Sequence, residues 1–269
     1  MLAPDALEFY QREGYVAPIR ALSYEEAQHF RSNLERFETE NPDRRDLLRN
    51  KTHLVLTWAD ALIRHQGILD AVEKVIGPNI LCWGSSFFTK NANDPSYVSW
   101  HQDSTYWGLE PPDIVTAWVA LSESVPENGA MRVMPRSHLA DQLPHRDTFA
   151  KDNLLSRGQE IAVEVDGKQA VTLALQPGEM SLHHVRLIHG SDPNPSDRRR
   201  IGFAIRYLPT YVKQVVGKKD SATLVRGVDT YNNFLPERSP ASDLHPEALV
   251  LWDTVVNQTN AVLMRPSAA

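Results

Sequence analysis

The stretch Trp100-His101-Gln102-Asp103 carries an imidazole and a carboxylate two positions apart. Because side chains alternate between the two faces of an extended strand, His101 and Asp103 are expected to point to the same side. An imidazole and a carboxylate suit Fe, Zn or Mn, and a third histidine elsewhere would complete a facial triad. Two histidines and one carboxylate, with open positions on the metal, is the arrangement that holds non-haem Fe(II).

Two other stretches fit the same loose pattern, namely His145-Arg146-Asp147 and His245-Pro246-Glu247. An isolated pair of this kind is more often a solvated or core histidine beside an unrelated acid. The first pair is favoured by a second stretch, Leu187-Ile188-His189-Gly190-Ser191-Asp192-Pro193-Asn194, which Arg200 follows. The pair His101 and Asp103 is therefore preferred.

The composition of the chain is that of an ordinary globular protein, with 269 residues, 42% hydrophobic and 23% charged. The net charge of −6 does not suggest a nucleic-acid surface, and Arg198-Arg199-Arg200 is too short a run to form one. The single cysteine, Cys82, excludes an internal disulfide and makes a reducing cytoplasm the expected location. The N-terminus lacks the pattern of a signal peptide, and no stretch approaches the roughly 20 apolar residues of a membrane span.

The first part of the chain, at about residues 1–78, is predicted to be helical. Residues 4–13 form a short helix with one apolar face. Ser23 and Glu26 have the spacing of a capping box, so a second helix is expected to begin at residue 24. An apolar repeat at helical spacing over residues 60–75 predicts a further helix.

After residue 78, short apolar or alternating runs separated by turn signals replace the helical spacing. Many short strands at this spacing indicate a sandwich or barrel. We predict a single domain with a β-core at about 79–210 and an irregular or helical part at 211–269. Two polar stretches, 139–168 and 213–240, are expected to shape the pocket as lids. The predicted strands are 80–90, 97–101, 114–121, 130–134, 171–175, 180–184 and 201–208.

Six stretches then follow one another along the chain. They are Trp100-His101-Gln102-Asp103, Thr116-Ala117-Trp118-Val119-Ala120-Leu121, Glu127-Asn128-Gly129-Ala130-Met131, Pro135-Arg136-Ser137-His138, Pro177-Gly178-Glu179, and His189-Gly190-Ser191 with Asn194 and Arg200. In order and in spacing this series resembles the phytanoyl-CoA dioxygenase (PhyH) family of Fe(II)- and 2-oxoglutarate-dependent oxygenases. The resemblance implies a mainly β fold with N-terminal helices, the double-stranded β-helix (jelly roll, cupin-like).

The resemblance also implies the roles of five residues. His101, Asp103 and His189 are expected to hold Fe(II). Arg200 is expected to pair with the distal carboxylate of 2-oxoglutarate, with Ser191 as a helper. The planar guanidinium suits this role because it pairs with a carboxylate through two parallel hydrogen bonds.

Several nearby positions are open to two interpretations. Trp118 matches a family position near the co-substrate, and a core aromatic is the alternative. Arg136 stands where the glycine of Pro-Gly-Ser-His is usual, which indicates a changed turn or a substrate contact. Gly202 stands two residues after Arg200, where some relatives in the wider superfamily have the serine of an Arg-x-Ser clamp. Lys90 is expected at the surface, with a position facing the pocket as the alternative.

Aromatic residues and a histidine are the further substrate candidates. Trp100, Tyr106 and Trp107 flank the metal pair and are expected to cover a substrate or to hold a cationic group, with core packing as the alternative. His183 and His184 are neighbours on one strand, so at most one of them faces the pocket. We take His184 as the candidate.

These assignments predict an enzyme, a 2-oxoglutarate-dependent non-haem iron dioxygenase. It would hydroxylate an unactivated C–H bond of a small polar metabolite or a natural-product intermediate, while 2-oxoglutarate and O2 become succinate and CO2. Desaturation, cyclisation and epimerisation with the same cofactors are alternatives. Halogenases of the family have a small residue in place of the carboxylate ligand, so Asp103 argues against that reaction. From other classes, the alternatives are a non-enzymatic metal-binding jelly-roll protein and a Zn hydrolase, in which Arg200 would have no role.

Overall fold

The structure is a computed structural model that describes residues 4–264. The first helix occupies the predicted range and ends before Gly14, whose φ of +84° continues no helix. No helix in this described part has the length and apolarity that crossing a membrane requires. The helices are α1 (Pro4–Glu13), α2 (Tyr24–Glu40), α3 (Thr57–Ile63), α4 (Gln66–Ile76) and α5 (Pro246–Leu263).

The capping box predicted at the start of α2 is confirmed. The backbone N–H of Glu26 donates to Ser23 Oγ at 3.1 Å, and the backbone N–H of Ser23 donates to Glu26 Oε2 at 2.7 Å. A cap of this kind typically stabilises a helix by about 1 kcal/mol. The helix buries Phe30, Leu34 and Phe37 on one face, as the apolar spacing predicts.

The prediction of a single helix over residues 60–75 is wrong, because the helix is interrupted at Arg64-His65 and two helices, α3 and α4, take its place. His65 is the N-cap residue of α4, and its Nδ1 accepts a hydrogen bond from the backbone N–H of Gly67 at 3.2 Å. A Cβ atom on Gly67 would lie 2.2 Å from the carbonyl oxygen of Ala21, so close packing fixes where α4 begins. Both helices bury apolar residues in the same core, which is why the apolar repeat runs through the break.

All seven predicted strands are present in the described part of the chain. The strands are β1 (Tyr15–Arg20), β2 (Ile80–Lys90), β3 (Val98–His101), β4 (Leu109–Glu110), β5 (Val115–Ala120), β6 (Met131–Val133), β7 (His145–Asp147), β8 (Gln159–Ile161), β9 (Val171–Thr172), β10 (Glu179–His184), β11 (His189–Ser191), β12 (Arg200–Pro209), β13 (Lys213–Gln214), β14 (Ser221–Arg226) and β15 (Leu235–Pro236). The larger sheet has the order β1-β10-β5-β12-β2-β14-β15, and a smaller one has the order β3-β11-β6-β9.

Three strands of the larger sheet, β1, β14 and β15, lie outside the predicted β-core, and two of them, β1 and β14, pair with strands of that core. β1, in the part predicted as helical, pairs with β10, and β14, in the part predicted as irregular, pairs with β2. Both strands are short and both pair with distant partners, so their local sequence carries little of the information that places them. Pro18 adds to this in β1, where it lies within a shift of the register between Val16 and Ile19.

One face of the larger sheet packs on the N-terminal helices. Val115, Ala117 and Val119 of β5 and Phe203 and Ile205 of β12 are buried there in a core shared with α2, α3 and α4. Because strand side chains alternate, the residues between these positions point to the opposite face. That opposite face lines a cavity.

A row of four residues crosses the cavity face of this sheet. His183 of β10 pairs with Thr116 of β5, and Thr116 pairs with Arg206 of β12. Arg206 in turn pairs with Gly84 of β2. Residues paired across antiparallel strands point to the same face, so the four side-chain positions form one line below the smaller sheet.

Candidate active site

Three potential metal ligands come together at the end of the smaller sheet. His101 is the last residue of β3 and pairs directly with His189, the first residue of β11. Asp103 follows one extended residue later, where β3 gives way to a 3-10 turn. The ligand atoms of the three side chains all lie within 4.8 Å of one another, and His101 Nε2 is 3.5 Å from Asp103 Oδ1. The strand alternation thus brings His101 and Asp103 together as predicted, although the strand itself ends at His101.

Backbone carbonyl groups fix the orientation of both imidazole rings. His101 Nδ1 lies 2.9 Å from the carbonyl oxygen of Ser99, and His189 Nδ1 lies 2.9 Å from that of Leu187. A carbonyl oxygen only accepts, so each Nδ1 carries the proton and donates it. The Nε2 lone pairs are therefore left to a metal, which is the usual arrangement of metal-binding histidines.

The charges of the three groups also suit a metal cation. Burial opposes the ionised form of Asp103, but the close imidazoles of His101, His183 and His189 hold the pKa of its carboxyl well below the usual range. Burial holds the pKa of His189 well below its usual range, so this ring is neutral. Metal binding requires an ionised carboxylate and neutral imidazoles. Thr116 Oγ1 donates to Asp103 Oδ2 at 3.3 Å and steadies the carboxylate from the larger sheet.

A fourth histidine, His183, faces this cluster. It is buried, its Nε2 lies 3.9 Å from Asp103 Oδ2, and its ring centroid is 4.7 Å from that of His189. Within residues 4–264 neither of its ring nitrogens has a hydrogen-bond partner.

The choice of His184 as the pocket histidine is wrong. His184 lies on the other face of β10, the face of Met180 and Leu182, and its ring packs 5.3 Å from that of His138. The sequence contained the signal for this, because two apolar residues at alternate positions before His184 place it on the core side of the strand.

Arg200 is buried at the first position of β12. It is 2% exposed, its guanidinium carbon lies 5.4 Å from the ring centroid of Trp118, and one Nη donates to the carbonyl oxygen of Gly129. Its Nε has no partner among the described residues. Burial lowers the pKa of Arg200 to about 10, so the side chain stays cationic at neutral pH. A buried cation with an unused donor is a fitting partner for a carboxylate.

Lys90 and Ser191 lie beside Arg200. The expected surface position of Lys90 is wrong, since this last residue of β2 pairs with Arg200 and is completely buried. Lys90 Nζ donates to Ser191 Oγ at 2.7 Å and to the carbonyl oxygen of Asp192. Because Ser191 Oγ accepts this bond, its own O–H proton is available to a second acceptor.

The packing of Trp118 explains why Gly202 stands two residues after Arg200. A Cβ atom at Gly202 would lie 1.9 Å from Cζ2 of Trp118. The indole therefore occupies the space that a serine at this position would need. Trp118 is buried beside the guanidinium of Arg200 and also lines the cavity, and its place near the co-substrate stays a prediction.

Two of the remaining substrate candidates line the cavity and two do not. Tyr106 and Trp107 line it. Trp100 does not, and instead packs under the guanidinium of Arg132 at 5.5 Å. The prediction of Arg136 as a substrate contact is wrong. Its backbone adopts the left-handed conformation that favours glycine (φ +68°), and its side chain pairs with Glu13 at 3.2 Å on the surface.

The cavity has a volume of about 1080 Å³ and lies between the two sheets. Residues between positions 149 and 159 line part of it, as the lid prediction for 139–168 requires. Residues 213–240 do not line it, so the lid prediction for that stretch is wrong, and α5 takes the place with side chains such as Trp252 and Val256. No local pattern indicates this role of α5, because its contribution to the cavity depends on long-range packing.

The two rival His-x-acid stretches lie outside the cluster. His145 Nε2 accepts a hydrogen bond from the backbone N–H of Gln102 at 3.0 Å, and its Nδ1 donates one to the carbonyl oxygen of Leu143 at 2.8 Å. With both nitrogens engaged, this ring has no lone pair for a metal. His245 stands at the start of α5 and makes no side-chain cap.

Replacing His145 by alanine is expected to leave the Fe(II) stoichiometry unchanged, because His145 supports the backbone at Gln102 without offering a ligand atom. The measurement is an anaerobic Fe(II) titration, with His101→Ala as the matched variant that should lose iron. Loss of iron in His145→Ala with retention in His101→Ala would reverse the choice between the two stretches.

Comparison with known proteins agrees with this geometry. The profile of the family described as phytanoyl-CoA dioxygenase (PhyH) matches residues 2–202. The chain belongs to this family. A protein of Stutzerimonas stutzeri named as a probable alpha-ketoglutarate-dependent hypophosphite dioxygenase is 33% identical over 177 residues, which are 64% of this chain and 60% of that protein. Human peroxisomal phytanoyl-CoA dioxygenase is 30% identical over 131 residues, 47% of this chain and 39% of that protein.

The chain thus spans less than two thirds of the length of these two curated relatives. Solved structures cover more of it. ThoJ in the apo state, described as a non-heme monooxygenase, superposes with a TM-score of 0.87 at 36% identity over 96% of this chain and 97% of that one. CytC3 with Fe(II) and alpha-ketoglutarate has a TM-score of 0.65 at 24% identity over 89% and 98% of the two chains, which shows the fold alone.

These similarities confirm the jelly-roll fold and the predicted family. The family to which the chain belongs is named for a dioxygenase, and its relative from Stutzerimonas stutzeri is named as alpha-ketoglutarate-dependent. The donor set fits Fe(II), since it offers two neutral imidazole nitrogens and one carboxylate in a buried cluster.

Proposed function

We propose that this chain hydroxylates an unactivated C–H bond of a small molecule, with conversion of 2-oxoglutarate and O2 to succinate and CO2. The observation that carries the proposal is the cluster of His101, Asp103 and His189 with buried Arg200 on the neighbouring sheet. In a Zn hydrolase or a binding protein, Arg200 would be a buried cation without a purpose.

Each residue of the site has a definite task in this proposal. His101, Asp103 and His189 hold Fe(II), and Arg200 and the Ser191 hydroxyl bind the distal carboxylate of 2-oxoglutarate. When bound, the metal and the co-substrate supply the oxidising power that breaks the C–H bond. Trp118 covers the guanidinium of Arg200 and excludes water from it, which strengthens its attraction for a carboxylate. Tyr106 and Trp107 form the cavity wall for the primary substrate.

Other outcomes of the same chemistry are distinguished by the product. Structural neighbours at 20% and 21% identity include SnoN, described as an epimerase, and SnoK, described as a carbocyclase, both alpha-ketoglutarate dependent. At this identity they show the fold alone. An alcohol product with one added oxygen atom supports hydroxylation, and a product of unchanged composition, or one that has lost two hydrogens, supports these alternatives.

The experiment that tests the proposal is an anaerobic titration of the metal-free protein with Fe(II) and 2-oxoglutarate. A visible metal-to-ligand charge-transfer band is expected when the co-substrate chelates the iron. If iron binds and no band forms, the co-substrate assignment fails and the hydrolase and metal-binding alternatives replace it.

Binding of 2-oxoglutarate is expected to weaken as the pH rises above 7. Burial, and then the nearby charge of Arg200, lowers the pKa of Lys90 to about 7. A bound dianion favours protonated Lys90, so binding of 2-oxoglutarate takes up a proton. If binding raises the pKa of Lys90 by one unit, the affinity for 2-oxoglutarate at high pH falls about tenfold. The band intensity at a series of pH values measures this effect. Lys90→Met should show no such slope, whereas the exposed Lys168→Met should retain it, and equal slopes in both variants would exclude Lys90 as the titrating group.

A further inference from the structure

Arg206 lies on the cavity face of β12, next to the candidate metal centre. It pairs with Thr116 on the neighbouring strand, and Thr116 donates to Asp103. Adjacent strands are about 4.8 Å apart, so Arg206 stands one strand beyond the residue that holds the candidate ligand. On its other side Gly84 offers no side chain, and even an added Cβ there would lie 4.0 Å from Arg206 Cδ. The guanidinium therefore has room to meet a ligand in the cavity.

The contacts of Arg206 leave one edge of its guanidinium unused. Nη1 donates to Ser86 Oγ and to the carbonyl oxygen of Ala204 at 3.3 Å, and the group lies 5.6 Å from the ring centroid of Phe88. Nε and Nη2 donate to no group in the described part of the chain. These two N–H groups form the parallel pair that binds the two oxygens of a carboxylate.

Arg206 also differs in its charge balance from two other arginines of the cavity wall, Arg157 and Arg199. Arg157 pairs with Asp147, and Arg199 pairs with Glu38 at 2.7 Å. Within residues 4–264 no carboxylate forms an ion pair with Arg206, although burial of the side chain lowers its pKa. Arg206 is half-buried, and taking a cation even partly out of water without a counter-charge is costly.

The charges expected in the loaded site do not supply that partner. This step rests on the proposed function. The two positive charges of Fe(II) and the one of Arg200 already equal the two negative charges of 2-oxoglutarate and the one of Asp103, and a protonated Lys90 beside Ser191 adds a further positive charge. Arg206 therefore adds a positive charge that only a further ligand can neutralise.

We propose that Arg206 binds a carboxylate of the primary substrate through its Nε and Nη2 groups. Ser86 holds the guanidinium in place, and Tyr106 and Trp107 contact the apolar remainder of the substrate. Arg206 thereby fixes the substrate at one end and directs its C–H bond toward the metal. The substrate class is then a carboxylic acid whose acid group lies at a set distance from the bond that is oxidised.

The test uses a matched pair of probes, 3-phenylpropanoate and its neutral amide 3-phenylpropanamide, whose ring suits the aromatic wall. Each is added without oxygen to the protein with Fe(II) and saturating 2-oxoglutarate, and the shift of the charge-transfer band gives its affinity. We expect the acid to bind at millimolar concentration and the amide about 10- to 100-fold more weakly, as the loss of a charge-assisted hydrogen bond predicts. Arg206→Met should bind the acid as weakly as the amide. Arg206→Lys should retain part of the preference, and Arg146→Met, at an exposed arginine of β7, should retain all of it.

The outcomes separate this inference from the proposed function. A band that forms in every variant shows that the co-substrate site is folded and loaded, and its absence from the wild-type protein contradicts the proposed function. With a normal band, absence of binding by the acid, or equal binding of acid and amide, overturns the role of Arg206. An Arg206→Met variant that weakens 2-oxoglutarate and leaves the preference for the acid unchanged overturns it as well.

Discussion

Replacing Asp103 by alanine is expected to abolish substrate oxidation and to lower Fe(II) affinity by more than about 100-fold. Removal of groups that merely orient metal ligands already costs 10- to 100-fold in many sites, and Asp103 is the single anionic member of the cluster. Without it, two neutral imidazoles would face the cation. Fe(II) affinity is measured by anaerobic equilibrium dialysis, and oxidation by the formation of succinate in air.

Two further variants separate charge from fold. Asp103→Asn keeps the shape of the side chain and the contact with Thr116 but removes the charge, so it should also lose most of the iron affinity. Asp141→Ala removes a fully exposed carboxylate that lies 3.8 Å from Arg186, and should behave as the wild-type protein. Full succinate formation by Asp103→Ala would remove Asp103 from the site.

The parts of the site that the sequence predicts are those that depend on local geometry. The alternation of a strand brings His101 and Asp103 to one side, and the spacing of Ser23 and Glu26 predicts a helix start. Both arrangements are decided within four residues of chain. The family resemblance then supplies His189, which is distant in the sequence and whose pairing with His101 no local pattern contains.

The parts that the sequence does not predict depend on contacts between distant segments. Lys90 looks like a surface residue because it ends a strand and precedes polar residues, yet its amino group is buried against Ser191, 101 positions later. Arg206 follows a continuous apolar run, residues 201–205. Such a run has no polar alternation that would show which face of the strand Arg206 occupies. The placement of β14 beside β2 and of α5 over the cavity likewise follows from packing of the whole chain.

Replacing Arg200 by alanine is expected to weaken 2-oxoglutarate binding by about 100-fold or more, with Fe(II) binding unchanged. Truncation of one partner of a buried hydrogen-bonded charge pair typically costs 2–5 kcal/mol, which is about 30-fold to several thousand-fold. The bound carboxylate would keep only the Ser191 hydroxyl and Lys90 near it. The measurement is the concentration of 2-oxoglutarate at which half of the charge-transfer band has formed under anaerobic conditions.

The run Arg198-Arg199-Arg200 contains its own control. Arg198 is exposed and pairs with Glu123, so Arg198→Ala removes the same charge from the same run without touching the cavity, and it should bind 2-oxoglutarate as the wild-type protein does. Arg200→Lys keeps the charge but loses the fork of two parallel donors, so it should fall between alanine and arginine. An unchanged 2-oxoglutarate requirement in Arg200→Ala would show that burial beside Trp118 serves packing alone, and the carboxylate clamp would then have to be sought at Lys90 and Ser191. A selective loss in the Arg200 variants, graded from lysine to alanine, is the result that only a direct bond to the co-substrate explains.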